Sequence, residues 1–261
     1  MDPIATTALG VARVRAIESA RPDRIFEDRL AAHFVAALPA LPPVPTNPAP
    51  EMVALARYLV IRTRFFDEML LDAANSCRQI VVLGAGLDAR AFRFRWPEGT
   101  RLFELDQPEM LSWKQQVLDG VGVEPTCERI VVPADLRTDW PIQLAASGHD
   151  ASEPTAWLAE GLLLYLTTSV VECILEDVAL RSAVGSRFGL TTRRVGAMAP
   201  TTALDELWIS STPDDPETWL RGHGWEPTFH RPGVLASRYG RNEWSHLEGS
   251  GLVDARRLPT E

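Results

Sequence analysis

The feature that most constrains the fold is a short strand-like run that ends in glycines. The apolar, mostly β-branched stretch 79–83 leads directly into Gly84-Ala85-Gly86-Leu87-Asp88-Ala89, which matches G-x-G-x-x-G/A. Glycines at this place let the chain turn tightly after a strand and let a ligand approach the backbone. The same pattern also suits a tight strand-to-helix turn that binds nothing. The residues elsewhere in the chain must therefore distinguish a ligand site from a purely structural turn.

Strand-like and helical segments alternate through the middle of the chain. Further strands are predicted at 102–105, 130–132, 156–159 and 187–191, a sixth between His223 and His230, and a last, edge strand at 251–255. Helical periodicity covers 108–119, 140–146 and 168–181. This alternation predicts an α/β fold with a doubly wound, mostly parallel sheet.

The first third of the chain reads as helical. Apolar residues recur at helical spacing in 7–19, 24–38 and 51–74, and the stretch 39–50 is rich in proline. We therefore predict an N-terminal helical cover with a Pro-rich connector over 1–50. A core over 51–261 follows, with a substrate-cover insertion near 195–222.

Composition narrows the class of protein. Lys and Arg number 26 against 35 Asp and Glu, giving a net charge of −9, which disfavours binding to a phosphate backbone. Three scattered cysteines form neither a disulfide framework nor a metal motif. No segment has the length and apolarity of a membrane span, and the N-terminus lacks the pattern of a signal peptide. We expect a cytoplasmic protein that binds neither nucleic acid nor membrane; the sequence leaves its oligomeric state open.

Acidic residues follow three successive predicted strands. Glu104 and Asp106 come about 20 residues after Gly84, where nucleotide-binding folds place a carboxylate for ribose hydroxyls. Asp135 and Leu136 end the third strand and could clasp an adenine, and Glu160 ends the fourth. The pattern predicts a site for an adenosine-containing cofactor at this edge of the sheet.

The charge of this edge favours one cofactor class over another. Asp88 lies in the loop where a dinucleotide would put its pyrophosphate. S-adenosylmethionine has no phosphate and carries a positive sulfonium, so an acid-rimmed site suits it better than NAD. An NAD(P)-dependent oxidoreductase and a non-catalytic cofactor-binding protein remain alternatives.

Several motifs carry a family resemblance and run in order along nearly the whole chain. They are Thr7-Ala8 through Arg15-Ala16-Ile17-Glu18, Arg21-Pro22-Asp23, Arg62-Thr63-Arg64-Phe65-Phe66-Asp67, Leu83-Gly84-Ala85-Gly86-Leu87-Asp88, Glu104-Leu105-Asp106-Gln107-Pro108, Asp135-Leu136-Arg137, Trp157 to Leu163 with Tyr165-Leu166, and Ala255-Arg256-Arg257. In these the chain resembles bacterial S-adenosylmethionine-dependent methyltransferases of the leucine carboxyl methyltransferase superfamily, which includes O-methyltransferases of polyketide biosynthesis of the tetracenomycin type.

The resemblance implies a Rossmann-like class I methyltransferase fold with a mostly parallel seven-stranded sheet, and a role for each matched residue. Arg62 would hold the methionine carboxylate of the cofactor, with Arg15 as a further candidate. Gly84 would let the cofactor approach the backbone closely, and Asp106 would accept hydrogen bonds from the ribose hydroxyls. Asp135 and Leu136 would bind the adenine, and Glu160 would lie near the amino acid end or the methyl group.

The reaction expected is methyl transfer to an oxygen of a small organic molecule, as in secondary metabolism. A carboxylate acceptor is ionised at pH 7 and requires no base, whereas a phenol with a pKa of about 10 benefits from one. We favour the carboxylate. Tyr165 and His223 are the candidate catalytic residues, followed by His230 and His33, and no metal-ligand cluster is apparent. The arginines at 90, 93 and 95 read as a solvated helix face, and Trp157 as core.

Overall fold

The structure is a computed structural model that describes residues 3–37, 45–193, 209, 213, 215–247 and 250–259. Its strands are β1 (Gln79–Leu83), β2 (Arg101–Asp106), β3 (Glu128–Pro133), β4 (Thr155–Ala159), β5 (Arg187–Arg193), β6 (Trp225–His230) and β7 (Ser250–Arg257). The helices of the described part are α1 (Pro3–Ser19), α2 (Arg29–Ala36), α3 (Pro50–Ala73), α4 (Arg90–Arg93), α5 (Pro108–Val121), α6 (Trp140–Ala146), α7 (Thr168–Leu180), α8 (Pro216–Gly222) and α9 (Pro232–Arg238).

The strands form a seven-stranded sheet in the order β3-β2-β1-β4-β5-β7-β6. The first five strands along the chain are parallel, and β7 is antiparallel to both of its neighbours. The mostly parallel seven-stranded sheet is therefore confirmed. The edge position of the last strand was wrong, because β7 lies between β5 and β6. Leu252 shows this directly, because it pairs with Thr191 of β5 on one side and with His230 of β6 on the other.

Both faces of the sheet are covered, which explains the continuous apolar runs of the central strands. Every residue of β1 and β4 is buried, as expected for parallel strands between two helical layers. The core on one face packs α3 against the sheet, and Trp157 lies in the core on the other face with no exposed surface. Trp157 is thus a core residue, as the sequence indicated.

The N-terminal helices pack over the glycine turn. Leu9 and Ala12 of α1 share a buried cluster with Leu87 and Ala89. Arg15 donates from Nη2 to the Leu87 carbonyl oxygen at 2.6 Å. One side of α1 is therefore attached directly to the loop that follows β1.

The second predicted helix, 24–38, begins later than its periodicity suggests. Asp28 is extended, and its carboxylate accepts a hydrogen bond from the Ala31 N–H at 3.1 Å, so it caps a helix that starts at Arg29. Residues 39–44 of the predicted connector lie outside the described residues. Helix α3 starts just after them, with Pro50 in its first turn, a position that suits proline.

Most of the predicted insertion, 195–208 together with 210–212 and 214, also lies outside the described residues. Its last part forms α8, and Leu220 of this helix is buried in the sheet core. Ile209 is described, and its N–H donates to the Leu164 carbonyl oxygen at 2.9 Å. Among the described helices, none is long and apolar enough to cross a membrane.

Candidate functional site

The carboxyl ends of the parallel strands bring most of the predicted site residues to one edge of the sheet. Gly84 follows β1, Asp106 ends β2, Asp135 follows β3 and Glu160 follows β4. Arg62 reaches the same edge from α3, where it contacts Glu160. Ligands of open α/β sheets bind at this edge, so the location agrees with the prediction of a cofactor site.

The glycine turn and Asp106 form one hydrogen-bonded unit. Gly84 and Gly86 both have a positive φ, at 62° and 45°. The Gly86 N–H donates to Asp106 Oδ2 at 2.6 Å, and the Gln107 N–H donates to Oδ1 at 2.7 Å. Each carboxylate oxygen retains a lone pair for a further donor. Burial raises the pKa of Asp106, although the two backbone N–H groups oppose that effect.

Glu104, the alternative ribose ligand two residues earlier, is not available to a ligand. Its side chain is fully buried, and Oε2 lies 2.8 Å from both Lys114 Nζ and Arg129 Nη2. Of the two acids on this strand, only Asp106 lies at the strand end and is partly exposed.

Arg62 and Glu160 meet across the turn after β4. Arg62 donates from Nε to Glu160 Oε1 at 2.9 Å, and both side chains are largely buried. Gly161 has a φ of 64°, and a Cβ at this position would come within 2.5 Å of Arg62 Nη1. The guanidinium therefore lies directly on the Gly161 backbone. The hydrogen bonds described for Arg62 use Nε, which leaves Nη1 and Nη2 for another acceptor.

Arg90 is the second cation on Glu160. Its side chain is 1% exposed, and Nη2 donates to Glu160 Oε2 at 2.8 Å. Its Nε lies 2.8 Å from Asp67 Oδ1 on α3, and its Nη1 forms a close pair with Asp88 of the glycine turn. Burial opposes ionisation of Glu160, but Arg90 and Arg62 outweigh it and lower the pKa of this carboxyl group.

The expectation that the arginines of 90–95 form a solvated helix face was wrong for two of them. Arg93 chelates Asp67, with Nη1 and Nη2 at 2.6 and 2.5 Å from its two oxygens, and Arg90 is fully enclosed. Only Arg95 is exposed. Helix α4 has four residues and lies near α3, whose Asp67 receives both guanidinium groups.

Asp88, the acid whose charge was expected to disfavour a pyrophosphate, is paired inside the protein. It is buried, and its carboxylate accepts hydrogen bonds from the backbone N–H and the guanidinium of Arg90. Burial opposes its ionisation, but the nearby cations, Arg90 first among them, lower its pKa to about 2. Its charge is therefore compensated inside the protein, and repulsion of a phosphate by Asp88 no longer counts against a dinucleotide.

The remaining predicted cofactor residues have distinct surroundings. Asp135 is partly exposed and pairs with Arg137 at 2.6 Å, which holds the pKa of its carboxyl group below its usual range. Leu136 packs against the sheet core at the same edge. Arg15 bonds to the Leu87 carbonyl and lies 3.3 Å from Asp28, so it fastens α1 and α2 to the glycine turn.

The structure separates the candidate catalytic residues. Tyr165 is half-buried in the single 3₁₀ turn that follows Glu160 and Gly161, close to the Ile209 contact. His223 lies before β6, at the amino edge of the parallel strands, with Nε2 3.1 Å from Glu172 and Nδ1 2.8 Å from the Trp219 carbonyl oxygen. Sequence position alone did not show that α8 leaves it at the opposite edge, so the structure does not bring His223 to the site.

The two remaining histidine candidates, His230 and His33, lie on different elements. His230 ends β6 at the carboxyl edge, and its ring centroid lies 4.7 Å from that of Phe65, one turn of α3 beyond Arg62. Burial lowers the pKa of this imidazole. His33 is exposed on α2. Among the described residues, no group of His, Cys, Asp and Glu could hold a metal ion.

The side chains of this edge fit an adenosine cofactor with an amino acid end. Asp106 offers two carboxylate oxygens beside a glycine turn, the arrangement that accepts ribose hydroxyls. Arg62 offers two terminal nitrogens in the planar geometry that binds a carboxylate. Gly84 has a φ of 62°, which favours glycine, and a Cβ there would lie 2.8 Å from Leu162 Cδ1.

The fold and this edge define a class I methyltransferase, and comparisons with known proteins agree. A structure from Thermobifida fusca titled "a putative methyltransferase" superposes with a TM-score of 0.57 at 16% identity, covering 95% of this chain and 94% of that chain. A DUF574 family protein of Streptomyces avermitilis superposes with a TM-score of 0.58 at 13% identity, covering 94% of this chain and 96% of that chain. At these identities the two structures support the fold alone.

The sequence comparisons assign the family. The leucine carboxyl methyltransferase family matches residues 8–179. A protein of Streptomyces coelicolor, named as a "putative S-adenosyl-L-methionine-dependent methyltransferase", is 49% identical over 96% of this chain and 94% of its own length. A protein of Frankia alni with the same description is 46% identical over 96% and 94%. The chain belongs to the leucine carboxyl methyltransferase family and is a methyltransferase.

Proposed function

We propose that this methyltransferase transfers the methyl group of S-adenosylmethionine to an oxygen of a small organic molecule, and that a carboxylate is favoured over a hydroxyl. S-adenosylmethionine is the cofactor, as in the curated relatives. Membership of a family named for a carboxyl methyltransferase is the observation that supports the choice of acceptor.

The surroundings of the turn after β4 support an acceptor that needs no base. Glu160 is committed to Arg62 and Arg90. His223 is at the opposite edge, and His230 packs on Phe65. A carboxylate, already ionised at neutral pH, could react without proton transfer, whereas a hydroxyl would have to lose its proton. Tyr165 stays the candidate for contact with the acceptor.

Each cofactor-binding residue has a role that follows from its chemistry. When bound, the cofactor supplies an electrophilic methyl group on a sulfonium. Asp106 holds the ribose hydroxyls, and Asp135 and Leu136 hold the adenine. Gly84 lets the backbone lie close to the cofactor. Arg62 binds the methionine carboxylate through Nη1 and Nη2. Glu160 offsets the positive charge of the cofactor's amino end.

The proposal extends to the setting of the protein. The net charge of −9 supports a small-molecule substrate rather than a nucleic acid. The widely spaced cysteines support a reducing compartment such as the cytoplasm, because no pair of them is available for a structural disulfide in the described chain.

The experiment that tests the acceptor uses matched pairs of compounds. Purified protein is incubated with methyl-labelled S-adenosylmethionine and a panel in which each carboxylic acid is accompanied by its primary alcohol. We expect label in the acids. Mild base then distinguishes the products, because a methyl ester releases labelled methanol and a methyl ether does not.

Two outcomes would contradict the proposal. Base-stable label in the alcohols, with none in the acids, would show hydroxyl methylation. Saturable binding of S-adenosylmethionine without turnover of any acid or alcohol would favour the non-catalytic alternative.

A further inference from the structure

Arg90 is a fully buried cation to which the proposed function assigns no task. Its guanidinium binds three carboxylates that belong to three different segments: Asp67 on α3, Asp88 in the glycine turn and Glu160 after β4. Each of these segments also carries a proposed cofactor-binding residue. Arg62 lies on α3, Gly84 begins the glycine turn, and Glu160 is itself one of the set.

The charges around this guanidinium balance. Arg62, Arg90 and Arg93 face Asp67, Asp88 and Glu160. Arg93 chelates Asp67 by itself, so Arg90 is required mainly by Asp88 and Glu160. A buried carboxylate that loses its cation is strongly destabilised. Without Arg90, Arg62 would be the one described cation paired with Glu160.

The loss of Arg90 would change how Glu160 binds Arg62. Glu160 presents Oε1 to Arg62 and Oε2 to Arg90. As long as Arg90 occupies Oε2, Glu160 engages only Nε of Arg62, and the terminal nitrogens remain for a ligand. If Oε2 were vacant, the Arg62 guanidinium could rotate to bind both oxygens, which is its preferred geometry with a carboxylate.

We propose that Arg90 is a positioning residue for the cofactor's amino acid end: it holds Glu160 so that Arg62 keeps Nη1 and Nη2 for the methionine carboxylate. This inference rests on the proposed role of Arg62. Arg90 itself touches no cofactor atom in this scheme, and it acts through Glu160.

The test variant removes Arg90 without leaving an unpaired charge. In Arg90→Met/Asp88→Asn the net charge of the cluster is unchanged, since Arg93 keeps Asp67 and Arg62 keeps Glu160. The backbone N–H of residue 90 donates to Asp88 Oδ1 at 2.7 Å, and the side-chain oxygen of the new asparagine can still accept this hydrogen bond. Arg90→Lys serves as a milder second variant, because one ammonium keeps the charge but cannot hold three carboxylates.

Two probes separate positioning from general damage. S-adenosylhomocysteine has the amino acid end, and 5′-methylthioadenosine has the adenosine and the thioether without it. Calorimetry should show that Arg90→Met/Asp88→Asn weakens S-adenosylhomocysteine binding by about 10- to 30-fold, and that the affinity for methylthioadenosine changes less than about twofold. Arg90→Lys should show a smaller loss with the same selectivity.

The matched control is Arg187→Met/Asp254→Asn. It also removes one largely buried charge of each sign, from Arg187 at the start of β5 and from Asp254 in the C-terminal half of β7, away from the site. We expect it to lower stability and to leave both affinities unchanged.

The outcomes are distinct. Equal losses for both probes in the folded Arg90 variants, or no loss for either, would overturn the positioning role. If the wild-type protein binds neither probe, the proposed function itself fails. If it binds both probes equally tightly, Arg62 does not bind the amino acid end, and the basis of this inference is removed.

Discussion

Asp106 accepts one backbone N–H on each carboxylate oxygen, and this limits which residues could replace it. The Gly86 and Gln107 N–H groups are both donors, at 2.6 and 2.7 Å. An asparagine has one acceptor oxygen and one donor NH₂ group. In either orientation its NH₂ group would face a backbone N–H, so the isosteric amide is a poor substitute at this position.

The first prediction concerns this residue. Asp106→Ala should weaken cofactor binding by about 30- to 150-fold, because two charge-assisted hydrogen bonds to ribose are lost and water replaces them in part. Asp106→Asn should also weaken binding, since its amide opposes the turn. Calorimetry with S-adenosylhomocysteine measures both, and circular dichroism checks the fold.

Glu109→Gln is the matched control for Asp106, since it removes a carboxylate charge from an exposed position three residues away. Its affinity should equal that of the wild type. A well-folded Asp106→Ala protein that binds the cofactor normally would remove Asp106 as the ribose ligand, and Glu104, buried in its ion pairs, could not replace it.

At the scale of elements, the turn between β4 and the following 3₁₀ helix requires a glycine at position 161 for two reasons. Its φ of 64° lets the chain reverse, and its lack of a side chain lets Arg62 lie on the backbone. The Gly161 N–H also donates to Thr191 Oγ1 on β5 at 2.6 Å. The turn thus connects α3, β4 and β5.

Gly161→Ala should therefore affect both stability and binding. A residue other than glycine in the left-handed region costs roughly 1–2 kcal/mol. The new methyl group, 2.5 Å from Nη1, would displace the Arg62 guanidinium, so we expect cofactor affinity to fall at least about tenfold. Denaturant unfolding and calorimetry measure the two effects.

Gly122→Ala is the control for backbone strain. Gly122 ends α5 with a φ of 70°, and a Cβ there would meet nothing within 4 Å. It should lose similar stability and keep full affinity. If Gly161→Ala behaves in the same way as Gly122→Ala, the packing of Arg62 on this turn has no role in binding.

At the scale of the whole molecule, the two edges of the sheet differ in character. The carboxyl edge carries the proposed site, whereas the amino edge holds structural polar groups such as His149. This imidazole lies between Phe103 and Trp157 and bonds to Thr155 Oγ1 at 3.0 Å. Burial lowers its pKa to about 4.

The neutral state of His149 predicts a pH-dependent stability. Its pKa is below that of an unfolded histidine, so the unfolded state binds more protons between about pH 6.5 and 4, and stability falls as the pH is lowered through that window. The loss from pH 7 to pH 5 due to this residue should be about 2 kcal/mol. Urea unfolding at both pH values, on the wild type and on His149→Gln, measures it.

The variant provides its own comparison. Glutamine retains a polar group for Thr155 but does not titrate, so the difference between the two pH values should shrink by about 2 kcal/mol. An unchanged difference would mean that other groups produce the pH dependence.

Most of the fold could be predicted from local patterns. The runs 79–83 and 140–146 have the bounds that the structure shows, because apolar periodicity and turn residues act over short distances. The interior place of β7 could not be predicted in this way. Strand order depends on contacts between distant segments, and five residues at 251–255 carry no signal for which neighbours they join.

The same distinction between local patterns and contacts of distant segments applies to the site. The strand-end acids at 106, 135 and 160 could be expected at one edge from topology alone. The role of Arg90 could not, because a short segment with three arginines looks solvated in sequence. Two of its three carboxylate partners are 23 residues before it and 70 after it, and their proximity arises only when α3 and β4 pack together.

The interior position of β7 has a consequence for the growing chain on the ribosome. Residues 225–230 are synthesised before 250–257, yet among the described strands β6 bonds to the sheet only through β7. During that interval the edge of β5 is open and β6 has no strand partner in the sheet. An unpaired strand edge can join another chain, so until β7 is in place the open edge of β5 is a point at which the folding protein is exposed to misassembly.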